Sequence, residues 1–520
     1  MKQGTRFTAR VAAIVALGGF LMGFDASVIS GVVGFIETEF LLTKLQLGWA
    51  VASLTLTATL AMLVAGPVSD RFGRRPVLQT AAVLFALSAF ASAVAPGFVS
   101  LVAARMLGGL GVGAALIVAP MHIAEIAPAE MRGRLVSFNQ LNIEIGISAA
   151  FFSNYLILNL GASEFGWAHF LRLDDWNWRW MLGVEALPAI VYLLALAAVP
   201  ESPRWLVMHG RDADALEVFS RTSGSEQAGN NLADVRESLD IATGEPAAAV
   251  TELFRPAMRL VLTVGIGIAV LQQITGINSV FFYAPMIFEQ SGIGTDAAFL
   301  QAVLVGLVNL AFTVIAMLCI DRLGRRPLLI AGLAGIAMCM LSLAYGFGSA
   351  TYTLDRAALD TLPAQLDQEL VESVVAVSYD SDTAFRAAVT SAIGAEAFRQ
   401  FESQLISAAI DVAPMLILLG ILGFVASFAV SLGPVMWVLF SELFPNRLRA
   451  VAVSLAGLVN SAVSFGVQLV FPWQLANLGN SLTFLIYGAF AVVGLLFVVA
   501  VVPETKGRSL EELERRLVGN

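Results

Sequence analysis

The sequence predicts an all-α membrane protein of twelve transmembrane helices, built as two pseudo-symmetric six-helix bundles. Three observations carry that prediction. Hydrophobic residues make up 58% of the chain and charged residues only 13%, with a mean hydropathy of +0.80, whereas a soluble domain carries about 25% charge. Apolar runs of roughly 20 residues, the length a hydrocarbon core of about 30 Å requires, recur along the whole chain. The heptapeptide Asp70-Arg71-Phe72-Gly73-Arg74-Arg75-Pro76 returns as Asp321-Arg322-Leu323-Gly324-Arg325-Arg326-Pro327, each copy between two apolar runs.

Taken in order, the first six spans are expected near 10–31, 46–67, 77–96, 100–122, 135–158 and 180–199. The second six are expected near 260–288, 298–320, 327–347, 406–440, 450–472 and 481–502. Residues 1–207 thus form an N-terminal bundle and 258–505 a C-terminal bundle. A linker at 208–257 joins them, and 506–520 is a cytoplasmic tail. Lys2, Arg6 and Arg10 precede the first run as in a signal peptide, but the run is too long and no small-residue cleavage site follows. Cys319 and Cys339 both fall inside spans, so no disulfide framework is indicated.

Charge sets the expected orientation. Arg71, Arg74, Arg75, Arg132, Arg134, Arg322, Arg325, Arg326, Arg447 and Arg449 lie in short loops on one alternating face, which the positive-inside rule makes cytoplasmic. Both chain ends then lie inside. Much of the acidic surplus behind the net charge of −9 sits in an insert at 348–405 on the opposite side. Leu359, Leu362, Leu366, Leu370 and Val374 recur there with a helical period. An amphipathic external cap fits this pattern; a partner-binding module is the other reading, with no motif behind it. The linker segments 212–219 and 232–239 read as short amphipathic helices.

Offsets between the halves measure the duplication. The heptapeptides are 251 residues apart. Glu125-Ile-Ala-Pro128-Ala-Glu-Met-Arg132 matches Glu442-Leu-Phe-Pro445-Asn-Arg-Leu-Arg449 at 317, and Pro200-Glu201-Ser202 matches Pro503-Glu504-Thr505 at 303. The acidic insert accounts for the rise, and an external loop at 161–178 in the first half for the later fall. Together with Arg105-Met-Leu-Gly108-Gly-Leu-Gly111, Pro200-Glu-Ser-Pro-Arg204-Trp-Leu, Gln272-Gln273-Ile-Thr-Gly276-Ile-Asn278 and Pro503-Glu504-Thr505-Lys506-Gly507, these motifs form an ordered set. On it the chain resembles the sugar porters of the major facilitator superfamily over nearly its whole length, the insert excepted. The resemblance implies the major facilitator fold and transport of a sugar by alternating access.

Three groups of residues carry chemistry. First, Asp25 in span one and Arg105 at the start of span four are intramembrane charges, each costing at least about 2.5–3.5 kcal/mol on insertion scales. They are the natural pair. If the arginine withdraws, burial favours the neutral acid and Asp25 takes a proton, the chemistry of a proton symporter; a structural ion pair at a wet helix end is the alternative. Second, Gln140, Gln272, Gln273, Asn278 and Asn309 offer amides that both donate and accept, as a neutral polyol requires. Trp437, in the Gly433-Pro434 region that can break span ten, supplies an apolar face for a sugar and part of a gate, and Phe282 and Tyr283 flank the site. Interhelical hydrogen bonding is the competing use of such amides. Third, the arginines of the repeated loops (Arg71, Arg74, Arg75, Arg322, Arg325, Arg326, with Asp70 and Asp321) can reach Glu125, Glu201, Glu442 or Glu504. With Arg132, Arg204 and Arg449 they would latch the two bundles on the inner side, in line with the resemblance.

Departures from the family pattern bear on the cargo. Ile147 stands where xylose-recognising members place a glutamine, Phe282 where a tyrosine is frequent, and Ser461 and Ser464 where many members have a Trp and an Asn. His122 replaces a tyrosine and reads either as structural or as a pH sensor. Gly109-Leu-Gly111-Val-Gly113 lacks the strand that a dinucleotide loop needs and instead lets helices approach closely. No metal-ligand spacing, cofactor motif, nucleophile–base arrangement or nucleic-acid-binding stripe is visible. The expected protein is therefore not an enzyme. It is a proton-coupled monosaccharide importer, acting as a monomer in the lipid bilayer of a bacterial cytoplasmic membrane. A uniporter of the same fold and a non-transporting sugar sensor are the rivals; a sensor needs a longer cytoplasmic output segment than the residues after the last span provide.

Overall fold

The computed structural model describes residues 2–244, 250–359, 362, 366, 368–445, 447–506 and 512. Eleven described helices are long and apolar enough to cross a bilayer. Ten follow the expected spans one to ten. The last, Arg449–Val501, has 53 residues, which at 1.5 Å each would run about 80 Å, more than twice a hydrocarbon core of about 30 Å. At Gly479 its backbone turns to φ +80°, ψ 167°, a conformation open to glycine because it has no Cβ. Spans eleven and twelve meet there, so the twelve-span expectation holds.

Contacts sort the chain into two compact units: residues 1–26, 53–150 and 182–249, and residues 27–52, 151–181 and 250–520. The first unit packs around Val15, Leu21, Phe85, Val118 and Tyr192, all fully buried. Its helices approach to backbone contact. A Cβ on Gly109 would lie 2.3 Å from the Leu54 carbonyl oxygen, and one on Gly113 2.2 Å from that of Ala58, so this glycine run is a packing seam between spans two and four. On its linker side, helices Pro203–Met208, Asp212–Ser223 and Ser225–Gly244 share a small core of Leu206, Val207, Ala215, Val218, Phe219 and Ala228. Ser202 caps the first of these by accepting from the Trp205 N–H at 3.2 Å.

In the second unit two spans are broken. Span seven divides at Gly276 (φ +91°) into Arg259–Ile274 and Ile277–Glu289. Span ten divides at Ser431 (φ −122°, ψ −95°) into Pro414–Val430 and Leu432–Leu443, two residues ahead of the Gly433-Pro434 pair that signalled the break. The insert is more than an amphipathic cap. Strands β1 (Thr351–Thr353), β2 (Ser378–Tyr379) and β3 (Ile410–Asp411) form an antiparallel sheet in the order β2-β1-β3. Helices Asp382–Ile393 and Ala395–Ala409 pack with it around Tyr352, Leu354, Phe385, Val389, Leu405 and Ile406. Of the predicted periodic series, Leu362, Leu366 and Val374 are buried in this core while Leu370 is 48% exposed. Span ten therefore begins at Pro414, not at 406. Residues 406–409 are apolar because they fill the insert's core, and an apolar run alone does not distinguish that from a lipid-facing start. Of the expected tail, only residues 506 and 512 are described.

Candidate functional site

Asp25 and Arg105 do come together, each 1% exposed. Arg105 Nη1 lies 3.5 Å from Asp25 Oδ1, and Nη2 lies 3.5 Å from the Asp25 carbonyl oxygen. Both distances exceed the 2.7–2.9 Å typical of a tight charge-assisted hydrogen bond. Gly108 makes the approach feasible, since a Cβ there would lie 2.6 Å from Asp25 Oδ2. That oxygen has no hydrogen-bond partner among the described residues. Sequence reasoning missed the third member, Glu185 of span six. It is 2% exposed, interacts electrostatically with both Asp25 and Arg105, and its Oε1 also lacks a hydrogen-bond partner among the described residues. The same rule that singled out Asp25, that a carboxylate within a span is costly, would have found it. Two carboxylates about one guanidinium leave the cluster one negative charge in excess, and one proton balances it.

The amides of span seven form a closed network with span eleven. Gln272 Nε2 donates to the Leu432 carbonyl at 3.1 Å and, more weakly, to that of Gly433 at 3.5 Å, both at the break in span ten. Its Oε1 accepts from Gln273 Nε2 at 3.2 Å and Asn460 Nδ2 at 2.7 Å. Gln273 Nε2 also reaches Asn460 Oδ1 at 3.1 Å, and Asn460 Nδ2 the Ala269 carbonyl at 2.9 Å. Asn278 Nδ2 donates to Gln273 Oε1 at 2.8 Å and Ser464 Oγ at 2.7 Å, and Gln468 Nε2 donates to the same Ser464 Oγ at 2.8 Å. In these bonds, capacity is left on Asn278 Oδ1, on one lone pair each of Gln273 Oε1 and Asn460 Oδ1, and on the Ser464 hydroxyl proton. Asn460, Ser464 and Gln468 sit at i, i+4 and i+8 on one face of span eleven, a polar spacing within an apolar run that could have found them.

The remaining candidates take varied places. Tyr283 is fully buried, its hydroxyl donating to the Gln468 carbonyl at 3.1 Å. Phe282 is 8% exposed and Asn309 3%. Trp437 is 43% exposed and packs edge-on against Phe440. Gln140 belongs to the first unit, where its Nε2 donates to Glu144 Oε1 at 3.2 Å.

Comparison with known proteins decides the family. A family model for "Sugar (and other) transporter" matches residues 11–358 and 384–517. The chain belongs to this family. It is 34% identical over 509 residues to an arabinose-proton symporter of Bacillus subtilis, covering 98% of this chain and 95% of that protein. It is likewise 34% identical to a D-xylose-proton symporter of Escherichia coli K12, covering 96% and 94%. Among solved structures, the inward open conformation of the xylose transporter XylE from E. coli superimposes with a TM-score of 0.74 at 32% identity, covering 98% of this chain and 99% of that one. The protein is thus a multi-pass membrane protein with the major facilitator fold, and 359–383, the gap in the family match, falls within the insert.

The family's repeated loops build two matching cradles. Arg74 Nε and Nη2 clamp Glu125 at 2.9 Å each, and its Nη1 reaches Asp70 Oδ1 at 2.9 Å. The main-chain N–H of Arg74 donates to Glu201 at 2.9 Å. In the second half Arg325 clamps Glu442 at 3.2 and 2.7 Å, and the main-chain N–H groups of Arg325 and Arg326 donate to Glu504 at 3.1 Å each. Glycine is required at both turns: Gly73 has φ +103° and a Cβ there would lie 2.4 Å from Glu201, while Gly324 has φ +96° and 2.9 Å from Glu504. Burial pushes the Glu201 carboxyl up, against the pull of the Ser202, Arg75 and Arg74 N–H groups. These pairs join residues of the same half, so each cradle knots one half to itself. Arg75 and Arg326 donate to the carbonyls of Ala197 and Val499 at 2.9 and 2.6 Å. Arg449 donates to the Phe444 carbonyl at 3.3 Å and the Arg322 carbonyl accepts from Lys506. Arg71, Arg132 and Arg204 are exposed; the side chain of Asp321 lies outside the described residues.

Proposed function

We propose that this chain imports a monosaccharide together with protons by alternating access, as a monomer in the cytoplasmic membrane with both ends inside. The observation that carries the reading is the buried cluster of Asp25, Arg105 and Glu185. A proton delivered to Asp25 Oδ2 or Glu185 Oε1 balances the charge and loosens the hold of Arg105 on Asp25. The kinship with arabinose-proton and D-xylose-proton symporters supports coupling of this kind.

For the sugar, the unused acceptors of Gln273 and Asn278 face hydroxyl protons, and Ser464, already accepting from two amides, donates its own proton to a sugar oxygen. Asn309, Tyr283, Phe282 and Trp437 complete the part of the site that the second unit supplies. The Arg74 and Arg325 cradles each tie loop ends within their own half and so hold the spans of that half rigid, in place of the latch between bundles that the charge pattern suggested. Reconstituted Asp25→Asn protein tests the coupling: uphill, proton-driven uptake should vanish while counterflow of labelled sugar persists. Concentrative uptake by that variant would remove Asp25 from the role.

A further inference from the structure

A second cluster of buried charges lies at the other end of the spans, away from the arginine loops. Span two runs from Lys44 to Phe72, so Lys44 stands at the end opposite Arg71. Its Nζ lies 2.6 Å from Glu37 Oε1 and 2.8 Å from Glu402 Oε2 of the insert. The second oxygen of Glu402 pairs with Arg386 Nη1, whose guanidinium also faces Asp382 at 3.9 Å. Asp382 Oδ2 in turn accepts from the Asn480 N–H at 3.1 Å, and its other oxygen lies where a Cβ on Gly479 would come within 2.5 Å. All five side chains are 15% exposed or less.

The network therefore joins three distant stretches: the loop between spans one and two, the insert, and the turn between spans eleven and twelve. A second tie runs from Ser403 Oγ to Glu289 Oε2 at 2.9 Å. Close by in the chain, span two abuts span eleven, with a Gly48 Cβ 2.0 Å from the Leu469 carbonyl and Trp49 edge-on to Phe465 at 5.6 Å.

Buried ion pairs add little net stability compared with apolar packing of the same volume, but breaking one strands an uncompensated charge. A switch is among the best-attested uses of such a group. The offsets between the halves place the insert in one half only, so the duplicated fold does not require it. Burial pushes the Arg386 guanidinium below its usual range, and the neighbouring Asp382 carboxylate offsets part of that desolvation.

We propose that the insert is an outer clasp: Glu402 and Asp382 hold the loop between spans one and two against the turn between spans eleven and twelve, and the clasp must release for sugar to enter from outside. This rests on the alternating-access reading above.

The test uses the full chain in proteoliposomes with Cys319 and Cys339 replaced by serine, and Lys44→Cys with Glu402→Cys joined by a reducible bifunctional methanethiosulfonate linker. Linking should lower labelled-sugar counterflow at least roughly tenfold, and reduction should restore it. As a second measurement, Lys44→Met should raise labelling of a Phe465→Cys reporter by an impermeant maleimide several-fold. Linked carriers that transport within about twofold of their reduced form would overturn the clasp, as would unchanged labelling. If the wild-type chain itself shows no counterflow, the transport reading falls and takes the clasp with it; counterflow by wild type and linked protein alike removes the clasp alone.

Discussion

Gln272 and Asn278 stand six residues apart in one broken span, yet the network assigns them opposite work. Gln272 uses its full hydrogen-bonding capacity inside the protein: two bonds to carbonyls at the break in span ten and two from neighbouring amides. Asn278 uses only its amide nitrogen and keeps Oδ1 available. Hydrogen bonds between helices in a membrane average about 0.6 kcal/mol in double-mutant cycles, so Gln272→Ala should lower unfolding free energy by about 2 kcal/mol and Asn278→Ala by about 1 kcal/mol. For sugar the order reverses. Losing an acceptor for one hydroxyl, worth about 0.5–1.5 kcal/mol, should weaken binding by Asn278→Ala roughly two- to tenfold. Gln272→Ala should change affinity less. Denaturant unfolding in detergent followed by tryptophan fluorescence gives the first quantity, and half-saturation of counterflow over a panel of pentoses and hexoses gives the second. If Gln272→Ala loses more than tenfold in affinity with stability intact, Gln272 is a sugar ligand and the closed-network account is wrong.

Four further outcomes rest on the same geometry. Glu185→Gln should depress uphill uptake while sparing exchange; full retention of proton-driven accumulation would exclude Glu185 from coupling. Gly73→Ala forces a Cβ into a glycine-only backbone region against Glu201 and should cost about 1–3 kcal/mol of stability, with Gly324→Ala alike; thermal unfolding at wild-type temperature would contradict this. The Glu201 carboxyl is raised in the folded protein, so its linked stability is present in acid and lost as pH rises through the folded value. The Tm of wild type relative to Glu201→Gln should accordingly fall as pH rises above the ordinary carboxyl value of 4.5, and a rise would reverse the assignment. Gln468→Ser removes one of two donors on Ser464 and should alter the ranking of sugars more than the maximal rate; an unchanged ranking would make Gln468 purely structural.

What the residues announce, and what they conceal, follows physical lines. Periodicity and length expose the spans because a bilayer demands a fixed apolar length. The cradles are legible because charged side chains in a fixed pattern are rare in such a chain. The insert's sheet is not, since β1, β2 and β3 are only two or three residues long and a strand that short leaves no alternation to read. Span ten begins later than its apolar run suggests because Leu405 and Ile406 fill a soluble-type core. Glu185 lies within reach of the argument that singles out Asp25. The pairing of Gln272 with freed carbonyls of span ten is out of reach, because no local pattern states which distant helix will break beside an amide.

The symmetry of the arginine cradles gives the asymmetric cluster on the insert its significance. Arg74 with Glu125 and Glu201 and Arg325 with Glu442 and Glu504 repeat each other nearly contact for contact, as duplication requires. Equal cradles in the two halves stabilise each half equally and cannot by themselves tell one half's role from the other's. The insert has no counterpart, so any energy it contributes enters on one side of the transport cycle only. A population shift from one part in a hundred to ninety-nine requires about 5.5 kcal/mol of differential stabilisation, and breaking a buried ion pair by removing one partner costs about 3–5 kcal/mol. Deleting one member of this network is thus a perturbation of nearly the size needed to shift the resting orientation of the carrier, which makes Lys44→Met the informative variant.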